Sequence, residues 1–193
     1  ESFLECIVAP SFSIDALEVF KAKKNLRIVS INKNDLYKNV SSVKSVFNGF
    51  LVQDKDFLND DESKFEVVSK IKPDNNQLKA LYLSWKLVKY VKSNAIVFSN
   101  SEQVLAVGAG QMSRVDSTKI AINKANENNL SLVGSVMASD AFFPFPDCLL
   151  LAKEVGIVGA IQPGGSIKDK EVIEAADQNN MFMIFTNKRH FYH

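Results

Sequence analysis

Histidine is nearly absent from this 193-residue chain: His190 and His193 both stand at its extreme C-terminal end, so no complete acid–base set can be assembled along the body of the sequence. Cysteine is as scarce. Cys6 and Cys148 lie far apart and match no metal or redox spacing, so reduced thiols without a disulfide are expected. Neither sign of charge is in excess, with 23 Lys and Arg against 22 Asp and Glu. That excludes the concentrated positive field of a nucleic-acid or membrane-surface binder, while leaving room for a small anionic ligand held locally. No apolar run approaches the roughly 18 residues a membrane helix needs, and no basic-then-apolar leader is present. The expectation is a soluble, cytoplasmic chain which, opening on Glu1 rather than Met, is a piece of a longer protein. The eight glycines form neither a dinucleotide fingerprint nor a phosphate-binding P-loop.

What is present centres on G-S-V-M-A-S-D-A-F-F-P-F-P-D, Gly134 to Asp147, an apolar run that ends in Ser139-Asp140 and then a stiff turn. Pro144 and Pro146 fix φ on either side of Phe145 and remove two backbone donors, so the segment reads as a shaped wall. A carboxylate and a hydroxyl at the end of an apolar strand stand where open α/β sheets place ligand groups.

Taken in order, the chain predicts a strand over 3–9, a helix from Ile14 capped by Ser13, and a strand over 26–31, together a β-α-β unit with parallel strands. Residues 32–73 read as an edge strand (V-F-N-G-F-L-V-Q-D), an acidic loop and a linker. An amphipathic helix then starts at Asn75 or Asn76 and places Leu78, Leu81, Trp85 and Val88 on one face. Strands over 94–99, 103–108, 131–138, 157–162 and 181–186 alternate with helices over 113–127, 148–155 and 167–178. That order implies a three-layer α/β domain with a mostly parallel sheet after its opening hairpin. Shifting the chain by 153 positions superposes the first β-α-β unit on the last without a gap: Pro10 meets Pro163, Ser13 meets Ser166, Glu18 meets Glu171, Val19 meets Val172 and Ile31 meets Ile184. We read this as a duplicated domain whose first copy lacks its opening half.

Several residues could carry chemistry. Gly108 to Arg114 joins a strand to a helix, with Ser113 and Asp116 spaced as a capping box; free amides at a helix start attract anions by about 0.3–2 kcal/mol. Pro163-Gly164-Gly165-Ser166 repeats that architecture, and Ser166 is either a ligand contact or a helix cap. Asn94 either presents its amide to a ligand or closes a turn. Asp140 is either a ligand or ion contact or a buried acceptor, and in either case must have donors or a cation nearby. Asp147 is by default a helix cap. The aromatic tail that holds Arg189 and both histidines is expected to dock rather than fray.

K-S-N-A-I-V-F, V-G-A-G-Q-M-S-R-V-D-S, G-S-V-M-A-S-D-A-F-F-P-F, Q-P-G-G-S-I-K-D and F-T-N-K-R-H-F, with I-V-A-P-S-F and K-K-N-L-R upstream, together resemble the transformylase portion of the AICAR transformylase/IMP cyclohydrolase family. The resemblance covers essentially the whole chain. It implies two cytidine-deaminase-like subdomains, with residues 1–73 the closing part of the first plus a linker, and 74–193 the second. It implies transfer of a formyl group from 10-formyltetrahydrofolate to AICAR, giving FAICAR, in an enzyme that also cyclises FAICAR to IMP. Residue by residue, Asn94, Arg114, Phe142 and Arg189 would contact the nucleotide, and Asp147 and Ser166 would lie toward the folate. Asp140, His190 and His193 would border the site, with a monovalent cation near Asp140 left open. No catalytic residue is assigned within this chain, because the family's Lys-His pair precedes it. A homodimer sharing its sites is implied, and Arg114 is expected to have few structural duties. Pro146 replaces the Arg usual in the family's F-F-P-F-R-D. A zinc deaminase, which the fold brings to mind, is excluded because neither H-x-E nor P-C-x-x-C occurs. The alternative reading is a noncatalytic nucleotide-binding or assembly module.

Overall fold

The computed structural model describes residues 4–32, 41–56 and 60–193; Phe3 of the first predicted strand, and 33–40 and 57–59 of the predicted linker region, lie outside the described residues. The chain falls into two compact units, Glu1–Phe57 and Leu58–His193.

In the first unit β1 (Cys6–Ala9) pairs in parallel with β2 (Arg27–Ser30) across helix α1 (Ile14–Phe20). Ser13 caps that helix as expected, accepting from the Ala16 N–H at 3.1 Å. The segment expected to form one edge strand instead forms a hairpin, β3 (Ser41–Val46) against β4 (Gly49–Asp54). Its Asn48-Gly49 pair is a hairpin signal, and Phe47 takes the left-handed conformation that the tight turn requires, at φ 48°.

The second unit is built on a six-stranded sheet. Its strands are β5 (Glu66–Val67), β6 (Ile96–Ser99), β7 (Val104–Gly108), β8 (Val136–Ser139), β9 (Gly159–Gln162) and β10 (Phe182–Phe185), in the order β5-β10-β9-β8-β6-β7. The expectation of a mostly parallel sheet needs correction: β8, β9 and β10 are mutually parallel, but β6 runs antiparallel to both β7 and β8, and β5 antiparallel to β10, so the sheet is mixed. The edge strand β5 is too short for sequence periodicity to register. It comes from the stretch ahead of the expected boundary at 73/74.

Alternation along the strands sorts the core into two halves. On one side Val97, Val136, Ala138, Ile161, Phe182 and Ile184 pack against Leu81, Trp85 and Val88 of α2 (Asn75–Val88). On the other, Ile96, Phe98, Met137, Ala160 and Met183 meet Ala121 and Ala125 of α3 (Arg114–Glu127), Leu149 and Ala152 of α4 (Asp147–Glu154), and Val172 and Ala176 of α5 (Asp169–Gln178). The result is three layers. Helix α2 begins with a full capping box between Asp74 and Gln77, and a 3₁₀ turn, Glu62–Lys64, precedes β5. Gly108 allows α3 to sit directly on β7: a Cβ there would lie 1.8 Å from the Ser117 carbonyl oxygen.

Two expected caps differ in detail. Pro146, at φ −75° and ψ −4°, already occupies the cap position of α4, so Asp147 is the first helical residue and its carboxylate accepts from the Cys148 N–H at 2.9 Å. Lys168 occupies the cap position of α5, while Ser166 Oγ accepts from the Lys168 N–H at 3.1 Å. The β9-α5-β10 unit matches β1-α1-β2 in strand direction, but its pairing register is two residues longer (Gly159 opposite Phe182, against Cys6 opposite Arg27).

Candidate functional site

The strand register gathers the candidate residues at one edge of the larger sheet. Ile96, at the start of β6, faces both Gly108 at the end of β7 and Ser139 at the end of β8; Gln162 at the end of β9 faces Phe185 at the end of β10. The segments that leave this edge are 92–95, 109–114, 140–147, 163–169 and 186–193. They contain every residue assigned above to the nucleotide, the folate side or the border of the site.

At the centre lies Asp140, wholly buried. Its carboxylate accepts from Arg114 Nη2 at 2.9 Å, from the Ala95 N–H at 3.2 Å, and from the Ser93 hydroxyl. Arg114 Nε donates to Ser139 Oγ at 3.1 Å, and that hydroxyl donates to the Ala141 carbonyl at 2.8 Å. The requirement that Asp140 have donors nearby is met within the protein, and its charge is matched by a guanidinium rather than left for a cation. Arg114 is therefore not the lightly committed side chain expected from sequence: it is 13% exposed and is the counter-ion of a buried carboxylate. Two of its five N–H donors are occupied by Ser139 and Asp140, and the others remain for a ligand.

Asn94 is half-buried and stitches the same corner. Its Nδ2 donates to the Gln111 carbonyl at 2.8 Å, and its carbonyl accepts from Ser117 Oγ at 2.7 Å. Both alternatives for Asn94 thus stay in play, since its Nδ2 closes the turn while its Oδ1 can accept from a ligand.

Phe142 is half-buried at the site, next to the fully buried Phe143, while Phe145 between its prolines is 54% exposed. Gln162, which sequence reasoning passed over, organises this wall: wholly buried, its Oε1 accepts from the Phe143 and Gly164 N–H groups, both at 3.2 Å. A buried amide at the end of an apolar strand was the available signal. Asp147 is exposed and Ser166 half-buried. Near Ser166, Asp169 Oδ2 accepts from the Gly165 N–H at 2.7 Å, while its buried Oδ1 has no hydrogen-bond partner among the described residues. Cys148 is buried behind Asp147; burial first, and then the adjacent Asp147 carboxylate, push its thiol up to about 12.

The C-terminal segment docks. The Ser93 N–H donates to the Tyr192 carbonyl at 2.8 Å, and the His190 N–H to the Asp140 carbonyl at 3.0 Å. Arg189 is exposed, 5.8 Å from the Phe191 ring, and the exposed His193 stacks on Phe191. The His190 ring is buried, 4.9 Å from the Trp85 ring and 2.7 Å from Asp60, so at the edge this residue offers backbone rather than imidazole. Asp60 itself was read as part of an acidic solvated loop. It is instead a half-buried acceptor for Lys188 at 2.6 Å and for Trp85 Nε1 and His190 at 2.7 Å each. Burial pushes its carboxyl up, but the hydrogen bonds from Lys188, His190 and Trp85 outweigh that and hold it below its ordinary value.

Compared with known proteins, residues 1–124 match the family model described as AICARFT/IMPCHase bienzyme. The bifunctional purine biosynthesis protein PurH of Prochlorococcus marinus subsp. pastoris (strain MED4) is 49% identical over 192 residues, covering 99% of this chain and 37% of that protein. PurH of Bacillus cereus (strain B4264) is 49% identical over 193 residues, covering 100% of this chain and 37% of that protein. The chain thus spans 37% of the length of these curated relatives. Among solved structures, the apo dCMP deaminase from cyanophage S-TIM5 aligns over 58% of this chain and 98% of its own, at a TM-score of 0.40 and 17% identity.

Proposed function

Because the chain belongs to the AICARFT/IMPCHase bienzyme family, we propose that it supplies one part of a de novo purine-biosynthesis enzyme. That enzyme transfers the formyl group of 10-formyltetrahydrofolate to AICAR, and its parent chain also cyclises FAICAR to IMP. In this reading residues 1–73 are the closing part of a first cytidine-deaminase-like subdomain plus a linker that lends β5 to the second, residues 74–193 are that second subdomain, and the complete enzyme is a cytoplasmic homodimer.

One observation supports it most: Asn94, Arg114, Phe142 and Arg189, far apart in sequence, leave the same sheet edge on four separate segments. Arg114's remaining donors and Arg189's exposed guanidinium supply charge for an anionic nucleotide, and Asn94 Oδ1 an acceptor for its amide or hydroxyl groups. Asp147 and Ser166 form the folate side, where the exposed carboxylate of Asp147 offers an acceptor for a folate N–H. The 5-amino group of AICAR attacks the formyl carbon and gives up a proton, a tetrahedral oxyanion forms, and collapse breaks the bond to the folate nitrogen, which takes up a proton as it leaves. The proton acceptor and oxyanion donor come from the Lys-His pair in the rest of the enzyme. This part fixes the nucleotide in a reactive pose, and positioning lowers such barriers by up to about 7–11 kcal/mol.

The test is formyl-transfer kinetics, with calorimetric titration of AICAR, on Asn94→Ala and Arg189→Ala in the full-length protein. Arg189→Ala should weaken AICAR by about 10- to 100-fold, the value of a charge-assisted hydrogen bond, and Asn94→Ala by about 2- to 10-fold, the value of a neutral one. Wild-type kinetics in both variants would refute the nucleotide assignment. Normal AICAR affinity in an enzyme that transfers no formyl group would favour the noncatalytic binding module instead.

A further inference from the structure

We propose that Asp60 is a positioning residue for Arg189, acting as a buried clamp that sets where the guanidinium projects at the site. The inference rests on the reading of Arg189 as a nucleotide contact. Sequence gives no reason to connect the two, since they lie at opposite ends of the larger unit.

The geometry makes the connection. The two oxygens of Asp60 are shared out, Oδ1 to Lys188 Nζ at 2.6 Å and Oδ2 to His190 Nε2 at 2.7 Å, with Trp85 Nε1 also on Oδ2 at 2.7 Å. Lys188 and His190 are the two neighbours of Arg189 in the chain. Both turn inward to one carboxylate, and the residue between them is left exposed. The Asp60 side chain is only 9% exposed and that of His190 is fully buried, so this anchor lies in the protein rather than in solvent.

Two further bonds fix the same segment. The His190 N–H donates to the Asp140 backbone carbonyl at 3.0 Å, which ties the segment around Arg189 to the residue whose carboxylate holds Arg114. Thr186 Oγ1 donates to the Lys188 carbonyl at 2.9 Å, closing the turn at Asn187, whose φ is 57°. An exposed Arg has rotamer entropy to lose on binding, and anchoring its backbone on both sides limits what further must be ordered. Asp60 need touch neither substrate to affect nucleotide affinity.

The experiment uses the full-length protein that contains this chain, and compares Asp60→Asn, Arg189→Ala and the double variant by formyl-transfer kinetics. Asn keeps the size of the side chain and an acceptor for Trp85, but cannot hold Lys188 and His190 as an anion does. Expected are an AICAR KM raised roughly tenfold by Asp60→Asn with kcat little changed, and a double variant no worse than Arg189→Ala alone. A merely structural role would lower kcat and KM performance together and would multiply with Arg189→Ala. Lys188→Met is the second probe. It removes the arm of the clamp that is 38% exposed, leaves the buried His190–Asp60 pair in place, and should raise the AICAR KM about two- to fivefold. A wild-type KM in both Asp60→Asn and Lys188→Met, or losses that multiply in the double variant, would overturn the clamp. An unchanged KM in Arg189→Ala alone would instead overturn the reading of Arg189 as a nucleotide contact.

Discussion

Replacing Arg114 with Ala should destabilise the sheet edge before it says anything about nucleotide binding. Asp140 is wholly buried, and its other donors are the Ser93 hydroxyl and the Ala95 N–H. Removing one partner of a buried ion pair costs about 3–5 kcal/mol, because the remaining charge is left without its counter-ion. Arg114 is 13% exposed, so water can enter where the guanidinium was, and the expectation lies near the lower end, about 3 kcal/mol. Amide hydrogen exchange on the full-length protein reads this directly in peptides covering β6 and β8, where protection should fall by roughly a factor of 100. Arg114→Met combined with Asp140→Asn, which removes both charges at once, should restore most of that protection, since a neutral pair of similar volume leaves no stranded ion. If Arg114→Ala exchanges like wild type while losing AICAR affinity, the ion pair has no structural weight and the residue acts on the ligand alone. If the paired variant is no better protected than Arg114→Ala, desolvated charge is not the cause.

The case of Arg114 also shows where sequence reading stops. Its place at a helix start, after a glycine turn, follows from Ser113 capping α3 and was legible; its partner was not, because Asp140 is 26 residues away and only the pairing of β6 with β8 and the docking of α3 bring them together. Strand and helix order was readable for the same reason the core sorts cleanly: Val97, Ala138 and Ile161 alternate with Phe98, Met137 and Ala160 along their strands. Strand direction was not, since a buried strand is apolar on both faces whether its neighbour is parallel or antiparallel. The expected opening hairpin is there as β6 and β7, but β6 also runs antiparallel to β8, and the two-residue β5 was not foreseen at all. Asp60 was missed because an acidic run reads as solvated. What sets it apart from Asp61 is the company of Trp85, Lys188 and His190, all distant in the chain.

Gly108→Ala should destabilise the α3–β7 contact by about 1–3 kcal/mol, seen in denaturant unfolding, because the new Cβ would lie 1.8 Å from the Ser117 carbonyl oxygen and backbone must shift to admit it; unchanged stability would mean that α3 does not sit as close to β7 as described. Mass-spectrometric mapping after alkylation near pH 8 should find Cys6, which is exposed, modified in the native protein, and Cys148 modified only after unfolding. Burial holds the Cys148 thiol protonated, at about 12, and rapid native labelling would show that Cys148 is not buried in the folded protein. The Asp60 clamp should fail in acid. The carboxyl is held below its ordinary value of 3.8 in the folded state, so its contribution to stability is fully present above 3.8 and is lost as pH falls through the lowered folded value. The stability gap between wild type and Asp60→Asn, followed by thermal unfolding, should therefore be constant from neutral pH down to about 5 and close below 3.8. A gap that stayed open well below 3.8 would show that the clamp does not depend on the charge of the Asp60 carboxylate.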